Sequence, residues 1–433
     1  MVYITLFVLT FQHVTKLTGT LFEKSEVLTV GKVLIIFTLA IWICRFSLQK
    51  DPEPVRSLFR NRTNLLMIAY AWILLLGLIP ARSVEAGLII ISQRYSLIIL
   101  YFLLFNILCT VNMLHNCILM LLFGSFFAAS AGIYEMVTGT AILESVYERT
   151  GLIITGEGSQ RIQSFAGDPD MHATFLITIS GLLLYMIYIS RSRIRKICWF
   201  GLLFMFIVNI FGTGSRAGWL GILITLGAFL FFIRLRYKFI IGIMSLVVFG
   251  LILIVVECAN LAPITERLDP SKKSGDKSIE WRVGWTIMST AMFLDHPLLG
   301  IGTGNYYTEY SRYLREAPTN ASYINKKPNH NAYLQTLAEN GIIGFSIFIV
   351  LLFSILADIS FVLMRGPPDM KYLGTGILAS YIGFLYCMSV YPAVGVEFGW
   401  IIIAFACCLS KLARNLTENS GDHISMPAKE TPR

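Results

Sequence analysis

The feature that most constrains this chain is a recurrence of long apolar runs, each closed by charged or turn-forming residues. They fall at 2–14, 29–43, 64–79, 87–108, 116–137, 171–190, 197–211, 217–233, 239–257, 341–364, 372–390 and 393–410. A helix needs about 20 predominantly apolar residues to cross a hydrocarbon core of about 30 Å. Most of these runs approach or reach that length. The composition agrees, with 55% hydrophobic and 14% charged residues among 433. Soluble domains carry about 45–50% apolar and about 25% charged residues. An ordinary soluble enzyme, a disordered chain and a disulfide scaffold are excluded by the same figures. The expected fold is an all-α integral membrane protein of about 12 transmembrane helices. A large helical periplasmic loop separates spans 9 and 10. The run at 2–14 is short for a complete span.

The charge pattern sets an expected orientation. One alternating set of loops holds Arg45, Lys50, Arg56, Arg60 and Arg62, then Arg191 to Lys196, then Arg234, Arg236 and Lys238. Arg365, Lys371 and four tail residues bring this set to 18 of the 35 basic residues. The short loops on the other side hold eight, and the long loop at 260–340 holds nine. Long loops are exempt from the rule, so both termini are expected in the cytoplasm. The net charge of +9 is then a topology signal, and nucleic acid is not an expected partner. The domain layout follows. Spans 1–9 occupy 1–258, with an outward loop at 138–170. The long loop covers 259–340, spans 10–12 cover 341–412, and a polar tail follows at 413–433. No cleaved signal peptide is expected. The eight cysteines lie in apolar runs with no CxxC and read as small core residues, all but Cys258 deeply buried. No internal repeat of the kind found in many transporters is present.

Ionisable residues at membrane depth are costly and mark function by default. Here they are Arg94, Glu135, Arg216, Glu257, Asp358 and Glu397. In the expected topology all but Asp358 fall toward the outer ends of their spans. That suits an outer-leaflet site better than a transport path. Asp358 is expected to face the cytoplasmic headgroups.

Four stretches carry the chemistry. In Gly212-Thr-Gly-Ser-Arg216-Ala-Gly-Trp219, small residues break one helix and Arg216 opens the next. A helix N-terminus with a guanidinium makes an anion site. From Glu280 to Asp295, helical spacing puts Trp281, Trp285, Met288 and Met292 on one stripe. Arg282, Thr286 and Ser289 form another, which describes an interfacial helix. The Gly300-Ile-Gly302-Thr-Gly304 that follows has no preceding strand, so it reads as a tight turn rather than a dinucleotide fingerprint. In Pro328-Asn-His330-Asn331 through Asn340-Gly341-Ile-Ile-Gly344, a short helix opens at His330 and stops at Asn340-Gly341. The dipole at that N-terminus and nearby arginines disfavour imidazolium, leaving a ring able to accept a proton. Arg161 and Gly167-Asp168-Pro169-Asp170 precede a span, with Pro169 suited to the helix start. Asp-Pro-Asp is only superficially like a metal-binding DxD. No closely spaced histidine pair supports a transition-metal site, so no metal or cofactor is expected.

Together and in this order these stretches resemble the O-antigen ligase and O-antigen polymerase family of bacterial envelope proteins. The resemblance runs from about Arg161 to Gly344. His330-Asn331 followed by Gly341-x-x-Gly344 is its most specific part. Ser215-Arg216-Ala-Gly-Trp, and Arg282 with Asp295-His-Pro-Leu-Leu-Gly-Ile-Gly, are also similar to family motifs. Thr303 and Asp170 depart from it, where Pro and Asn are expected. The resemblance implies a metal-independent glycosyltransferase of the bacterial inner membrane with a periplasmic site. Its donor is a glycan on undecaprenyl diphosphate. Its acceptor is lipid A–core for a ligase, or a second lipid-linked glycan for a polymerase. Membrane lipids are the remaining partners. Arg216 and Arg282 are implied to bind the diphosphate and His330 to deprotonate the acceptor hydroxyl. Arg161, Asp168 and Asn331 complete the implied substrate-binding set. A ligase is the reading favoured by the intact His/Asn–Gly–Gly pattern. A protein O-glycosyltransferase is a related alternative, and a lipid-glycan or anion transporter is the non-enzyme one.

Overall fold

A computed structural model describes residues 1–11, 30–49, 61–142, 161–233, 277–314 and 329–422. The helices in chain order are α1 (Val2–Leu9), α2 (Val30–Gln49), α3 (Arg62–Leu76), α4 (Val84–Ile107) and α5 (Val111–Thr138). Then come α6 (Pro169–Ile189), α7 (Arg193–Gly212), α8 (Arg216–Phe232), α9 (Lys277–Asp295) and α10 (Tyr306–Tyr313). The last are α11 (Ala332–Arg365), α12 (Pro368–Val390) and α13 (Glu397–Asp422).

Seven of these, α4, α5, α6, α7, α11, α12 and α13, are long and apolar enough to cross a membrane. Helices α3 and α8 are apolar but shorter, at 15 and 17 residues. Large apolar side chains such as Trp72, Phe123, Leu223, Phe231 and Phe353 are exposed on the helix surfaces. Such a surface suits lipid rather than water. The chain is a multi-pass membrane protein. The expected total of twelve spans is not reached among the described residues, because the run at 239–257 lies outside them, as do 12–14 of the first.

Helix starts follow local chemistry. The side chains of Asn61, Ser83, Thr110, Asp168, Ser215 and Asn331 each accept a backbone N–H in the first turn of the helix they open. Such caps satisfy donors that have no intrahelical partner. Pro169 sits where its missing N–H costs nothing.

Helix α6 is the axis of the bundle, with every residue from His172 to Ile187 buried. It crosses α12 where Gly181 meets Gly376 and Ser380. A Cβ on Gly181 would strike the Gly376 carbonyl and the Ser380 backbone. Small residues let two membrane helices approach this closely. Asn209 ties three helices together, meeting His172 Nε2 at 3.1 Å and donating to the Ala129 carbonyl at 3.0 Å.

Two expectations about polar residues need correction. Asp358 does not face the headgroups. It is buried and accepts hydrogen bonds from Thr63 (2.7 Å), Ser410 (2.9 Å) and Arg414 (3.0 Å), joining α11 to α3 and α13. Its partners lie far away in sequence, so its neighbours along the chain give no hint of them. Helix α13 continues to Asp422, beyond the expected start of the polar tail at 413, and this ion pair lies within it. Arg414→Met would leave the Asp358 carboxylate buried without its cation. A fully buried pair broken this way costs about 3–5 kcal/mol. Because the Arg414 side chain is 41% exposed, a smaller loss is expected, read as a drop in melting temperature in detergent. Asp358→Asn in the same background should recover part of it, and no recovery would contradict the pairing. Among the cysteines, 117, 387, 407 and 408 are buried, but 44, 109 and 198 are exposed on helix surfaces rather than in the core.

The segment between α9 and α11 is organised around a kink. Gly341 has φ +60° and ψ −167° inside α11, so the helix is broken there. The Gly-rich turn repairs the break. Ile301 and Gly302 donate to the Ala338 and Glu339 carbonyls, both at 3.0 Å. Ile342 and Ile343 donate to the Pro297 and Leu298 carbonyls at 2.8 and 3.3 Å. Four backbone groups released by the kink thus find partners, which buried polar groups require. The turn reading of Gly300–Gly304 holds, with all three glycines at positive φ. Thr303 donates to the Leu74 carbonyl and accepts from Asn340 at 2.7 Å, which couples the turn to α3 and α11. A Cβ at Gly341 would strike the Leu298 carbonyl and the Gly300 nitrogen. Gly341→Ala should therefore cost at least about 1–3 kcal/mol, seen as a lower melting temperature. An unchanged melting temperature would contradict this role.

Candidate functional site

The site assembles at the N-terminal end of α6 from four separate parts of the chain. The first is the loop leading into that helix. Glu135 is buried, and its carboxylate accepts from the backbone N–H groups of Gln163 (2.9 Å), Ser164 (2.8 Å) and Ile142 (2.9 Å). This carboxylate, singled out by its depth, therefore shapes the loop. Arg161 donates through Nε to the Thr213 carbonyl at 2.6 Å and through Nη2 to Asp170 at 3.2 Å. The Asp170 carboxylate also lies near the Ser215 hydroxyl and within electrostatic reach of His330 and Arg282.

The second part is the α7–α8 junction. Thr213 and Gly214 turn the chain, with Gly214 at φ +62°. Ser215 caps α8. Arg216 is the first residue of α8 and is exposed. The third is α9, whose Trp285, Met288 and Met292 are buried while Arg282, Thr286 and Thr290 are exposed. The expected two stripes are present, except that Ser289 is buried and hydrogen-bonded to Asn329. The buried stripe packs on Tyr306, Tyr310 and Tyr313 of α10, forming a small core of its own. Burial pushes all three phenols up from their ordinary values, so at neutral pH they stay protonated.

The fourth part is His330, directly before α11. Its ring stacks on the Trp285 indole, with centroids 4.8 Å apart and planes 13° from parallel. Tyr391 meets the same imidazole edge-on at 6.0 Å and 77°. Two aromatic contacts fix the ring plane, as such pairs do elsewhere. Arg282 lies about one helical turn before Trp285, on the adjoining exposed stripe of α9. A narrow open cleft runs between these parts, lined in part by Asp170, Thr174, Ser215, Arg282 and Tyr391.

The residues expected from the sequence are thus placed unequally. Arg282 lines the pocket and His330 packs on its Tyr391, while Arg161 is joined to the pocket's Asp170. Arg216 stands next to Ala217, which lines the pocket, but points an exposed side chain outside that lining. Asp168 accepts from Met171 N–H at 2.8 Å as the cap of α6. Asn331 accepts from Tyr333 and Leu334 N–H at 3.0 and 3.1 Å as the cap of α11. Both caps position their helices, and through them Asp170 and His330. Asp170 and Tyr391 were not among the expected site residues. In the sequence Asp170 stands out only as half of a DxD-like pair. Its true signal is an acid one residue after a proline helix start, opposite several arginines. Tyr391 carries no such signal beyond the Tyr-Pro break between two apolar runs. Among the described residues no group of three or more His, Cys, Asp or Glu side chains is placed to hold a metal ion.

A search of curated proteins finds no match to the chain. A protein-family model described as O-antigen ligase matches residues 200–349. That stretch includes Ser215 and Arg216, Arg282, the Gly-rich turn, His330 and the Gly341 kink. Arg161, Asp170 and Tyr391 complete the geometry from outside it. Residues 200–349 are thus similar to the O-antigen ligase family, the one that the motifs resemble.

Proposed function

We propose that this protein transfers a glycan from undecaprenyl diphosphate to a hydroxyl of lipid A–core, as an O-antigen ligase. The observation that carries the reading is that Arg282 and Asp170 line one pocket, with His330 packed on its Tyr391 and within electrostatic reach of Asp170. Transfer breaks the bond between the anomeric carbon and the diphosphate oxygen. The electron pair leaves with the lipid diphosphate while the acceptor oxygen bonds to carbon. Negative charge grows on the leaving group, and guanidinium groups placed there stabilise the transition state. Arg282 fills this role at the pocket, and Arg216 serves the same charge from the exposed start of α8. His330 takes the acceptor hydroxyl proton. The Asp170 carboxylate then faces a forming imidazolium and stabilises it, as a buried acid does in other His-dependent enzymes. Attack opposite the leaving group inverts the anomeric centre.

In this reading the site faces the periplasm, in an inner membrane, with both termini in the cytoplasm. The test is purified protein supplied with a lipid-linked glycan and one of two acceptors. Transfer to lipid A–core is expected. Lengthening on the carrier lipid instead would make it a polymerase, the second reading, which the shared motifs also support. No transfer to any acceptor, with lipid scrambling in its place, would contradict both. Chelator is expected to leave the rate within about twofold, since the charge on the leaving group is met by arginines. Loss of most activity, restored by a divalent cation, would contradict that assignment.

A further inference from the structure

His330 lies face to face with the Trp285 indole, and this contact bears on charge as well as on orientation. We infer that Trp285 sets the basicity of His330, its π face stabilising the imidazolium that forms when the ring takes the acceptor's proton. Trp285 is then a positioning residue, acting through His330. This inference rests on the glycosyltransferase reading above.

Three observations support it. The first is geometry. Ring centroids 4.8 Å apart, with planes 13° from parallel, place the imidazole over the indole face. The face of an aromatic ring carries negative potential, strongest for tryptophan, and attracts a cation within about 6 Å of the centroid. A neutral imidazole gains only the stacking. The contact therefore favours the charged form, which makes His330 a stronger base. In the transfer step the acceptor O–H bond breaks and its electron pair goes to the anomeric carbon. The proton it gives up becomes the charge that the indole faces.

The second is rigidity. Trp285 is 3% exposed and packs with Met288, Tyr306 and Tyr310 in the small core of α9 and α10. Ser289, one turn further along α9, accepts from the Asn329 side-chain amide and donates to the Trp285 carbonyl at 2.8 Å. The His330 ring and the residue before it are thus both fixed to the same stretch of α9. The indole face is in place before the charge forms, so its stabilisation costs no reorganisation.

The third is charge balance. The charged and titratable groups around the ring are Asp170 of α6, Arg282 of α9 and the Tyr391 phenol after α12. Tyr386 of α12 lies within electrostatic reach of Arg282. Asp170 is the acid of this set, and it already pairs with Arg161 at 3.2 Å. Arg282 has the same charge as the imidazolium and opposes it. A further carboxylate here would repel the donor diphosphate. An aromatic face carries no net charge and adds stabilisation without that repulsion.

The experiment uses full-length protein in nanodiscs. Trp285 is replaced site-specifically by tryptophans of increasing ring fluorination, which drain the π face and nearly keep its shape. Trp285→Leu is made alongside. The His330 titration is followed by NMR of ring-labelled histidine, assigned by the signal lost in His330→Gln. The pH profile of kcat/KM for glycan transfer is measured in parallel, since its acidic limb reports the base of the free enzyme. Full fluorination and Trp285→Leu should move the NMR midpoint and the acidic limb together to lower pH, by about half a unit to one unit. Partial fluorination should give intermediate shifts. The fluorinated proteins keep the test open should Trp285→Leu fail to fold. An unmoved midpoint in the folded, fully fluorinated protein would overturn the inference, as would a limb that stays while the midpoint moves. If wild type transfers glycan but the midpoint ignores the fluorines, the inference alone fails. If the midpoint follows the fluorines while wild type transfers no glycan, the transferase reading fails and the Trp285–His330 coupling stands.

Discussion

His330→Ala is expected to lower glycan transfer by about 10²–10⁴, the range of a positioned general base, while the protein still inserts and melts near wild type. The ring is half-buried and held by contacts on two sides, the Trp285 stack and the Tyr391 edge. Those contacts aim the imidazole without any demand from the surrounding fold. Asn331, not His330, caps α11, and Asn329 carries the hydrogen bond to Ser289. Removing the imidazole therefore leaves both neighbouring anchors intact. His330→Gln, which keeps a polar side chain but no base of suitable strength, should be as slow as the alanine variant. A glutamine variant near the wild-type rate would assign the ring a packing role instead.

Arg282→Gln is expected to lower kcat by about 10²–10³, the usual loss for one oxyanion-stabilising donor, with a smaller change in donor KM. The guanidinium sits at the pocket one turn from the His330 platform. Its exposure at the pocket mouth means that little stability is at stake, so the melting temperature should stay within a few degrees. Arg282→Lys should recover only part of the rate, since a point charge cannot hold two phosphate oxygens as a planar fork does. A loss confined to donor KM would show that Arg282 binds the ground state and transition state equally. Arg161 offers a contrast. Its contacts to Thr213 and Asp170 make it a positioning residue, acting through the carboxylate that faces His330.

Much of this architecture is legible in the residues, and the reason is local. The break at Gly341, the Gly300–Gly304 turn, the proline start at Pro169 and the Trp/Met stripe of α9 each depend on a few neighbouring residues, and each is found in place. What is not legible depends on which helices meet. Hydropathy marks α6 and α7 alike as apolar, yet α6 is buried on all sides while α7 exposes Ile194 and Ile197. Cys198 and Cys387 are equally apolar in context but lie on opposite sides of that distinction. Asp358 finds Thr63, 295 positions away, through a helix contact that no spacing announces. The site divides in the same way. His330 and Arg282 lie in motifs, whereas Asp170 and Tyr391 gain meaning only once α6, α9 and the chain around His330 and Tyr391 are packed together.

The most direct measurement of the central claim is a stoichiometry in a reconstituted system. Purified protein, undecaprenyl-diphosphate glycan and lipid A–core are mixed, and both glycosylated acceptor and free undecaprenyl diphosphate are quantified over time. The geometry around His330 and Arg282 predicts one lipid diphosphate released for each glycan joined to the acceptor, with both products absent in His330→Ala. Acceptor glycosylation at wild-type rate in His330→Ala, or movement of intact lipid-linked glycan across the bilayer with no diphosphate released, would contradict it.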